Sequence, residues 1–565
     1  MTDPSYVEPD PFTLEIIRDG LQAASDEMFI ALGRAAQGIV IYECLDYCVG
    51  IADASGRMVV QGNGVPLFIG TLESAVREVI DKFGNERDME PGDIFAMNDP
   101  YCGGGTHTPD VCLVMPVFAD DELIAFTANK GHWSELGGKV PGTIAADSTE
   151  VFQEGLQIPI VKLFCRGEPV QAILDLLAVN VRLPRQTLGD MWASVAAARI
   201  GERRIRELYS KYGHAAWRQA VDGLLNYAES MSLAALSHLP KGTFEAEDWI
   251  DDDGITDDPI PVRCKVTISD KEFVADYTGT NGVVAGPFNT GRAGLESGVK
   301  LAFKALTDPA SPANHGAFRP LRIVCPPDTV LSARRPAATG KYHQAVLFAT
   351  EVIWKALAPH CPKRLPAGHL AAVCGTTLIG RDPASGNVTL LQQPLVGGWG
   401  ATADRDGENG QFCAADGETF NIPIEVQENK FGILVEQYAF HDDDGGAGKR
   451  RGGKGVVLDY RVVDERIHFS GDYGRHKFRP WGIAGGGPGT ASLAQIARVD
   501  GSTEARQRAV SVPVNRGERI RLVTPTGGGY GDPRSRPRQQ VLEDLKNGYI
   551  TREQARRDYG VEVEE

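Results

Sequence analysis

The sequence predicts an α+β protein of several domains, with an N-terminal α/β part that carries a candidate metal site, a helical segment, and a β-rich, glycine-laden part. At 565 residues the chain is too long for one ordinary hydrophobic core. A long helical pattern ends near residue 238, and short strand patterns with many glycines follow it. We therefore expect three regions, which are residues 1–238, the β-rich residues 239–534 and a helical tail of residues 535–565.

The composition is that of a soluble globular protein and argues against several classes of partner. The hydrophobic fraction is 42% and the charged fraction 24%. A net charge of −17 argues against a nucleic acid or an anionic membrane as the partner. No apolar run reaches the length of a membrane span, and residues 1–4 do not resemble a signal peptide, so the expected location is cytoplasmic. The ten cysteines form no CxxC pair, which argues against a zinc ribbon.

The N-terminal region begins with a helix followed by a hairpin. Residues 13 to about 39 carry apolar side chains at a helical period, and residues 46–61 predict two short strands around a turn. A second helix is expected over residues 71–83. Glu43 and Asp46 lie at the open end of the hairpin, where either is as readily a solvated edge charge as an oxygen ligand.

A second hairpin is the central prediction from this sequence. The apolar runs 111–118 and 123–128 are rich in β-branched and aromatic residues, and the acidic segment 119–122 between them is typical of a turn. Folded about that turn, Asp110 comes almost opposite His132, with Cα atoms about 5 Å apart. The two side chains are therefore expected to meet at the open end of the hairpin.

His107 lies one short turn upstream of Asp110, beside the glycine-rich segment 103–105. Taken singly, such a histidine is more often a hydrogen-bonded structural residue, and such an aspartate a turn residue. The convergence of two imidazoles and one carboxylate beside a loop with room for a ligand favours a metal site instead. Nitrogen and oxygen donors suit zinc first, and also manganese or iron(II).

Beyond residue 239 the sequence predicts strands over 244–250, 261–269 and 272–279, and helices over 290–306 and 342–357. Many glycine clusters follow, and none matches the pattern of a phosphate-binding loop or a dinucleotide-binding loop. Tight turns are therefore the expected role of these glycines. The tail predicts a pair of polar helices broken at Asn547 and Gly548.

At several ordered motifs the chain resembles the hydantoinase B/oxoprolinase family, essentially from end to end. The motifs include NDPY, GGTHTPD, GH, GG, QEG, GGWGA, NIPIE and GGGYGDP, at residues 98–101, 104–110, 131–132, 137–138, 153–155, 397–401, 421–425 and 527–533. The family often carries histidines within residues 61–70, where this chain has Gly64 and Phe68. That departure points to a less polar substrate.

The resemblance implies a partner and a cofactor. Family members work with a hydantoinase A-type subunit of kinase-like ATPase fold, which uses ATP to phosphorylate the substrate. The family's metal motif falls on His107, Asp110 and His132, with Asp46 as the fourth ligand. The first three positions agree with the ligands expected from the hairpin alone.

The function implied is that of the hydrolytic subunit of an ATP-dependent cyclic amide hydrolase, acting on a hydantoin, lactam or oxoproline-type ring. Glu135 and Asp99 are the candidates for orienting water or acting as base, and structural turn roles are equally open for both. One alternative is a subunit of an ATP-dependent ketone carboxylase of the acetone or acetophenone type. Another is a non-catalytic scaffold subunit that completes the partner's active site.

Overall fold

The structure, a computed structural model, describes residues 11–84, 88–382, 386–417 and 419–562. Residues 1–4, on which the signal-peptide prediction depends, lie outside that range. The N-terminal region contains seven strands, β1 (Tyr47–Asp53), β2 (Met58–Gly64), β3 (Ile94–Met97), β4 (Asp110–Ala119), β5 (Glu122–His132), β6 (Val161–Cys165) and β7 (Glu168–Pro169). They form one antiparallel sheet in the order β2-β1-β5-β4-β3-β6-β7. Both predicted hairpins, β1–β2 and β4–β5, are confirmed.

Five helices accompany this sheet, α1 (Pro11–Ala35), α2 (Ile39–Tyr42), α3 (Thr71–Phe83), α4 (Gln171–Asn180) and α5 (Pro184–Ser237). The α1 helix buries Leu21 and Met28 in one cluster with Val49 and Leu113 of the sheet. It ends at Ala35, four residues before the predicted end, and the separate turn α2 follows. Helix α5 runs along α1 and is interrupted at Gly213, whose φ of +78° favours glycine.

The next layer is a four-stranded sheet that packs against two helices. Its strands are β8 (Gly242–Ile250), β9 (Ile260–Ile268), β10 (Phe273–Asp276) and β11 (Leu321–Val324), in the order β11-β10-β9-β8. The helices are α6 (Arg292–Thr307) and α7 (Tyr342–Leu357). Nearly every residue of α7 is buried, which is typical of a helix enclosed on all sides. The α7 bounds are those that the sequence predicts.

The remainder of the β-rich region forms two sheets, β13-β12-β16-β19 and β14-β15-β20-β17-β18. Glycines in the connecting segments allow backbone to touch backbone. A Cβ on Gly527 would stand 2.0 Å from the carbonyl oxygen of Trp399, so only glycine fits there. The elements are β12 (Thr376–Arg381), β13 (Val388–Gln393), α8 (Ile424–Lys430), β14 (Ile433–Phe440), β15 (Val456–Val462), β16 (Arg466–Asp472), β17 (Leu493–Ala497), β18 (Thr503–Ala505), β19 (Arg508–Asn515) and β20 (Arg519–Val523).

The tail folds as the predicted pair of helices, α9 (Arg538–Lys546) and α10 (Arg552–Arg557). Their apolar side chains form a small cluster of their own that includes Val541 and Tyr559. The mixed α+β class that the sequence predicts is confirmed. The expected boundary at residue 238 falls between α5 and β8, yet the largest core contains residues from both sides of it. The three-region division stays a prediction.

Candidate metal centre

The central hairpin brings the predicted residues together. In the β4–β5 pair Asp110 stands directly opposite His132, as the turn position predicts. His107 precedes β4 in a tight turn, in which the carbonyl oxygen of His107 accepts a hydrogen bond from the Asp110 amide at 3.2 Å. All three side chains are buried, with relative exposures of 3% for His107, 1% for Asp110 and 5% for His132.

Three donor atoms of this cluster face one point. His107 Nε2 lies 3.1 Å from Asp110 Oδ1, His132 Nδ1 lies 3.2 Å from the same oxygen, and the two nitrogens are 3.3 Å apart. Ligands held about 2.1 Å from a tetrahedral zinc ion stand about 3.4 Å from one another. The triangle therefore has the size that a metal ion requires.

The hydrogen bonds around the triangle orient its donor atoms. His107 Nδ1 lies 3.0 Å from the carbonyl oxygen of Gly340, which only accepts, so Nδ1 carries the proton and Nε2 presents its lone pair. Asp110 Oδ2 accepts hydrogen bonds from Thr106 Oγ1 at 2.7 Å and from the Tyr342 hydroxyl at 3.0 Å. Oδ1 is thereby left for the ligand triangle. The residues present fit a metal ion with nitrogen and oxygen ligands.

Electrostatics favour the ionised form of Asp110. Burial alone raises the pKa of this carboxyl, but the two neighbouring imidazoles, His107 and His132, hold its pKa well below the usual range. An ionised carboxylate is the form that binds a cation.

Asp46 lies at the same end of the hairpin but farther from the triangle. Its Oδ2 is 3.7 Å from His132 Nδ1, and its carbonyl oxygen accepts a hydrogen bond from the His132 amide at 3.0 Å. Burial raises the pKa of Asp46 to about 7. The structure thus brings Asp46 into reach of the three closer donors, and its role as fourth ligand stays a prediction.

The structure does not bring Glu135 or Asp99 to this site. Both Glu135 oxygens accept hydrogen bonds from backbone amides, of Gly137 at 2.6 Å and Gly142 at 2.8 Å. Asp99 Oδ1 accepts a hydrogen bond from the Tyr101 amide at 3.0 Å, and Asp99 Oδ2 forms an ion pair with Arg335 at 2.7 Å. These contacts hold loops in place, which sequence spacing alone does not reveal.

A cavity of about 80 Å³ adjoins the triangle, enough for several water molecules or one small ligand. One side is apolar and includes Val65, Leu67, Phe68 and Ile144. The sequence analysis missed the polar residues that line the rest of the cavity, because they come from distant segments. These are Lys341, Tyr342, His343, Thr376, Thr377, Gln392, Gln393, Asp416, Thr419 and Asp472.

A buried ion pair, Lys341 with Asp472, lies among these polar residues, and we call the part of the cavity around it the ion-pair side. Lys341 Nζ is 2.6 Å from Asp472 Oδ1, and both side chains are almost fully buried. Burial tends to raise the pKa of Asp472, but the Lys341 ammonium lowers it below the usual range. Burial lowers the pKa of the neighbouring His343 to about 3, so its imidazole is neutral at physiological pH.

The model of the hydantoinase B/oxoprolinase family matches residues 10–533. The chain belongs to this family. Family membership agrees with the resemblance seen in the motifs, and the matched range contains both sides of the cavity.

Relatives of this family member align over nearly the whole chain. The beta chain of the caprolactamase of Pseudomonas jessenii is 30% identical, covering 98% of this chain and 96% of its own length. A putative D-/L-hydantoinase B-type subunit of Pseudomonas sp. strain NS671 is also 30% identical, covering 98% of this chain and 95% of its own. Both names describe one subunit of a larger assembly.

Two solved structures share the fold of this chain. The crystal structure of the ATP-dependent caprolactamase from Pseudomonas jessenii matches with a TM-score of 0.91 at 29% identity, over 99% of this chain and 97% of the other. A nucleotide-free acetone carboxylase matches with a TM-score of 0.91 over 98% of this chain and 80% of the other. Its identity is 19%, so this second match concerns the fold alone. No helix in the described part of this chain combines the length and apolarity of a membrane span.

Proposed function

We propose that this chain is the metal-bearing hydrolytic subunit of an ATP-dependent cyclic amide hydrolase. The observation that carries the proposal is the triangle of His107, Asp110 and His132 beside a small cavity. The end-to-end similarity to the caprolactamase beta chain and to the hydantoinase B-type chain supports the substrate class. A hydantoin, lactam or oxoproline-type ring would bind in the cavity.

In this proposal His107, Asp110 and His132 hold a divalent metal, with zinc as first choice and manganese or iron(II) as alternatives, and Asp46 supplies the fourth ligand. A metal in such a site lowers the pKa of bound water to about 7. Thr106 and Tyr342 keep Asp110 oriented, so the ligand set is arranged before metal or substrate arrives.

The apolar side of the cavity would receive the hydrocarbon part of the ring. Val65, Leu67 and Phe68 are all buried there and offer no hydrogen-bond partner to a polar substituent. Phe68 stands in the segment where relatives often carry histidines, which favours a less polar ring as the substrate. The amide end of the ring would then lie toward the polar residues and the metal.

ATP would act through a hydantoinase A-type partner subunit in a hetero-oligomer. No glycine cluster of this sequence matches a phosphate-binding loop, and the relatives are named as subunits. The partner would phosphorylate the amide oxygen and so remove the resonance that makes an amide a poor electrophile. This proposal gives Glu135 and Asp99 no catalytic role, because neither lines the cavity and their oxygens are engaged with loop amides and Arg335.

The first test is the metal content of the purified chain by elemental analysis. We expect near-stoichiometric metal in the wild type and in His238→Ala, an exposed control, and its loss in His132→Ala. Reconstitution with the partner subunit should then give ring opening that depends on ATP. Full-rate product formation by the isolated chain without ATP would overturn the proposal, as would the absence of metal from the assembled complex.

A further inference from the structure

The cavity is lined by four carboxyl groups, and three of them have a basic neighbour. Asp110 contacts two imidazoles, and Asp46 lies 3.7 Å from His132. Asp472 forms its ion pair with Lys341 at 2.6 Å. Each of these carboxylates is therefore placed where its negative charge is compensated or where a cation would bind.

The fourth carboxyl, Asp416, lies at the end of the short turn Ala414–Asp416 and is only 7% exposed. Its Oδ2 accepts a hydrogen bond from the Cys413 thiol, with 3.5 Å between sulfur and oxygen. Within the described ranges, no lysine, arginine or histidine forms an ion pair with it. A thiol is a weak donor and compensates little charge, so burial favours the neutral carboxylic acid.

Other titratable groups around Asp416 do not reverse this preference. The turn Pro66–Phe68 that packs beside it carries no ionisable side chain. The groups that share its surroundings are Cys413 on its own segment, Cys44 and Cys374 nearby, Asp46, Asp110 and the Lys341–Asp472 ion pair in the same cavity, and Tyr342 and His343 on α7. Burial raises the pKa of Asp416 to about 7, against a smaller lowering by the Cys413 hydrogen bond.

We propose that Asp416 is the proton donor to the ring nitrogen when the cyclic amide opens. The inference rests on the proposed function and adds a catalytic residue to it. A nitrogen leaves poorly as an anion, so cleavage of its bond to carbon requires a proton from a positioned acid. Burial raises the pKa of Asp46 in the same way, but Asp46 lies beside His132 and is the proposed fourth ligand, so bound metal keeps it ionised. Asp416 has no basic partner among the residues that the structure describes, so of the carboxyls of this cavity it is the one left to carry a proton.

The step balances within the proposed reaction. Water adds across the carbon–nitrogen double bond of the O-phosphorylated ring amide, so that the carbon gains a hydroxyl group and the nitrogen gains the first proton. The carbon–nitrogen bond then breaks with its electron pair on nitrogen, which takes the proton of Asp416. The hydroxyl group loses the second water proton as the carbonyl forms, and that proton restores the acid. The products are an amine and an acyl phosphate, and a second water converts the latter to carboxylate and inorganic phosphate.

The test compares Asp416→Asn with Asp81→Asn, an exposed position on α3, in the complex reconstituted with partner and ATP. Asparagine keeps the size of the side chain and cannot give up a proton. For a simple lactam, whose leaving nitrogen is a basic amine, we expect kcat to fall about 100-fold or more in Asp416→Asn. For an imide-type ring, whose nitrogen leaves more readily, the loss should be about tenfold or less. Asp81→Asn should match the wild type.

Two further readouts separate proton donation from a structural role. Metal content and thermal midpoint should be the same in Asp416→Asn and wild type. Infrared difference spectra of the isolated chain between about pH 5 and about pH 9 should show a neutral carboxylic acid band that the variant lacks. In turnover, the fall of wild-type kcat above about pH 7 should be absent from the variant.

Equal losses on lactam and imide rings, or a variant as active as wild type, would overturn the assignment of Asp416 and leave the proposed function standing. A wild-type complex that opens no cyclic amide in the presence of ATP would overturn the proposed function and the assignment with it. A missing infrared difference between wild type and variant would overturn the protonated state on which the assignment depends.

Discussion

The two sides of the cavity are assembled in different ways. On the metal side His107 and His132 are 25 residues apart, and one hairpin with its preceding turn brings them together. On the ion-pair side Lys341 and Asp472 are 131 residues apart, and they meet where the residue before α7 contacts the end of β16. Ligand geometry therefore follows from local strand register, whereas the polar environment of the substrate depends on long-range packing.

The largest expected effect belongs to the metal side. Asp110→Asn removes the charged oxygen that contacts both imidazoles. Loss of a residue that only orients a ligand lowers metal affinity about 10–100-fold, and the loss of Asp110 itself should lower it further. Turnover should disappear with the metal. Metal affinity is measured by competition with a chelator, and Asp121→Asn in the exposed turn of the same hairpin is the matched control. Retained metal in Asp110→Asn would contradict the ligand assignment.

On the ion-pair side we expect an effect on the stability of the fold and none on metal binding. Lys341→Met leaves Asp472 buried without its partner, which should cost about 3–5 kcal/mol of unfolding free energy in urea denaturation. The double variant with Asp472→Asn should recover much of that loss, and metal content should stay at the wild-type level throughout. A loss no larger than that of Lys271→Met, at an exposed turn, would show that the pair stabilises little.

Tyr342 connects the two sides, because it belongs to α7 and donates to the metal-side Asp110 at 3.0 Å. Tyr342→Phe keeps the ring and removes that hydrogen bond. Metal affinity should fall about 10–100-fold, measured by chelator competition, with stability little changed. Tyr227→Phe, at an exposed position, serves as control. An affinity equal to wild type would mean that Thr106 alone orients the carboxylate.

The effect that is smallest near neutral pH is a pH dependence on the ion-pair side. Burial lowers the pKa of His343 to about 3, below the ordinary value of about 6.5 that the unfolded chain restores. The unfolded chain therefore binds the extra proton, and stability falls as pH drops from about 6.5 toward about 3, by up to about 1.4 kcal/mol per pH unit. His343→Gln should flatten this slope in urea denaturation, whereas His238→Gln at an exposed position should not. An unchanged slope would exclude His343 as its source.

Much of the metal side could be predicted from the sequence, because strand alternation and a short acidic turn determine the register that pairs Asp110 with His132. The helix bounds of α7 were predictable for the same local reasons. The hydrogen bond from Tyr342 to Asp110 could not be predicted, because 232 residues separate the two and no periodicity links their segments.

The role of Glu135 illustrates a different limit. Its proximity to His132 in sequence made it a candidate base, but both of its oxygens bind the amides of Gly137 and Gly142. The sequence does not distinguish a carboxylate that accepts hydrogen bonds from backbone amides from one that faces a ligand. Asp416 was missed for the converse reason, because its neighbourhood shows no motif and its position in the cavity arises from packing alone.

The carbonyl of Gly340 has a consequence for the order of events during biosynthesis. It fixes the proton on His107 Nδ1, although it lies 233 residues farther along the chain. While the ribosome has made only the first half of the protein, the hairpin can form but its imidazole is free to turn or to take the other tautomer. For the proposed metal site, this means that tight loading waits until the segment that carries Gly340 has packed against His107.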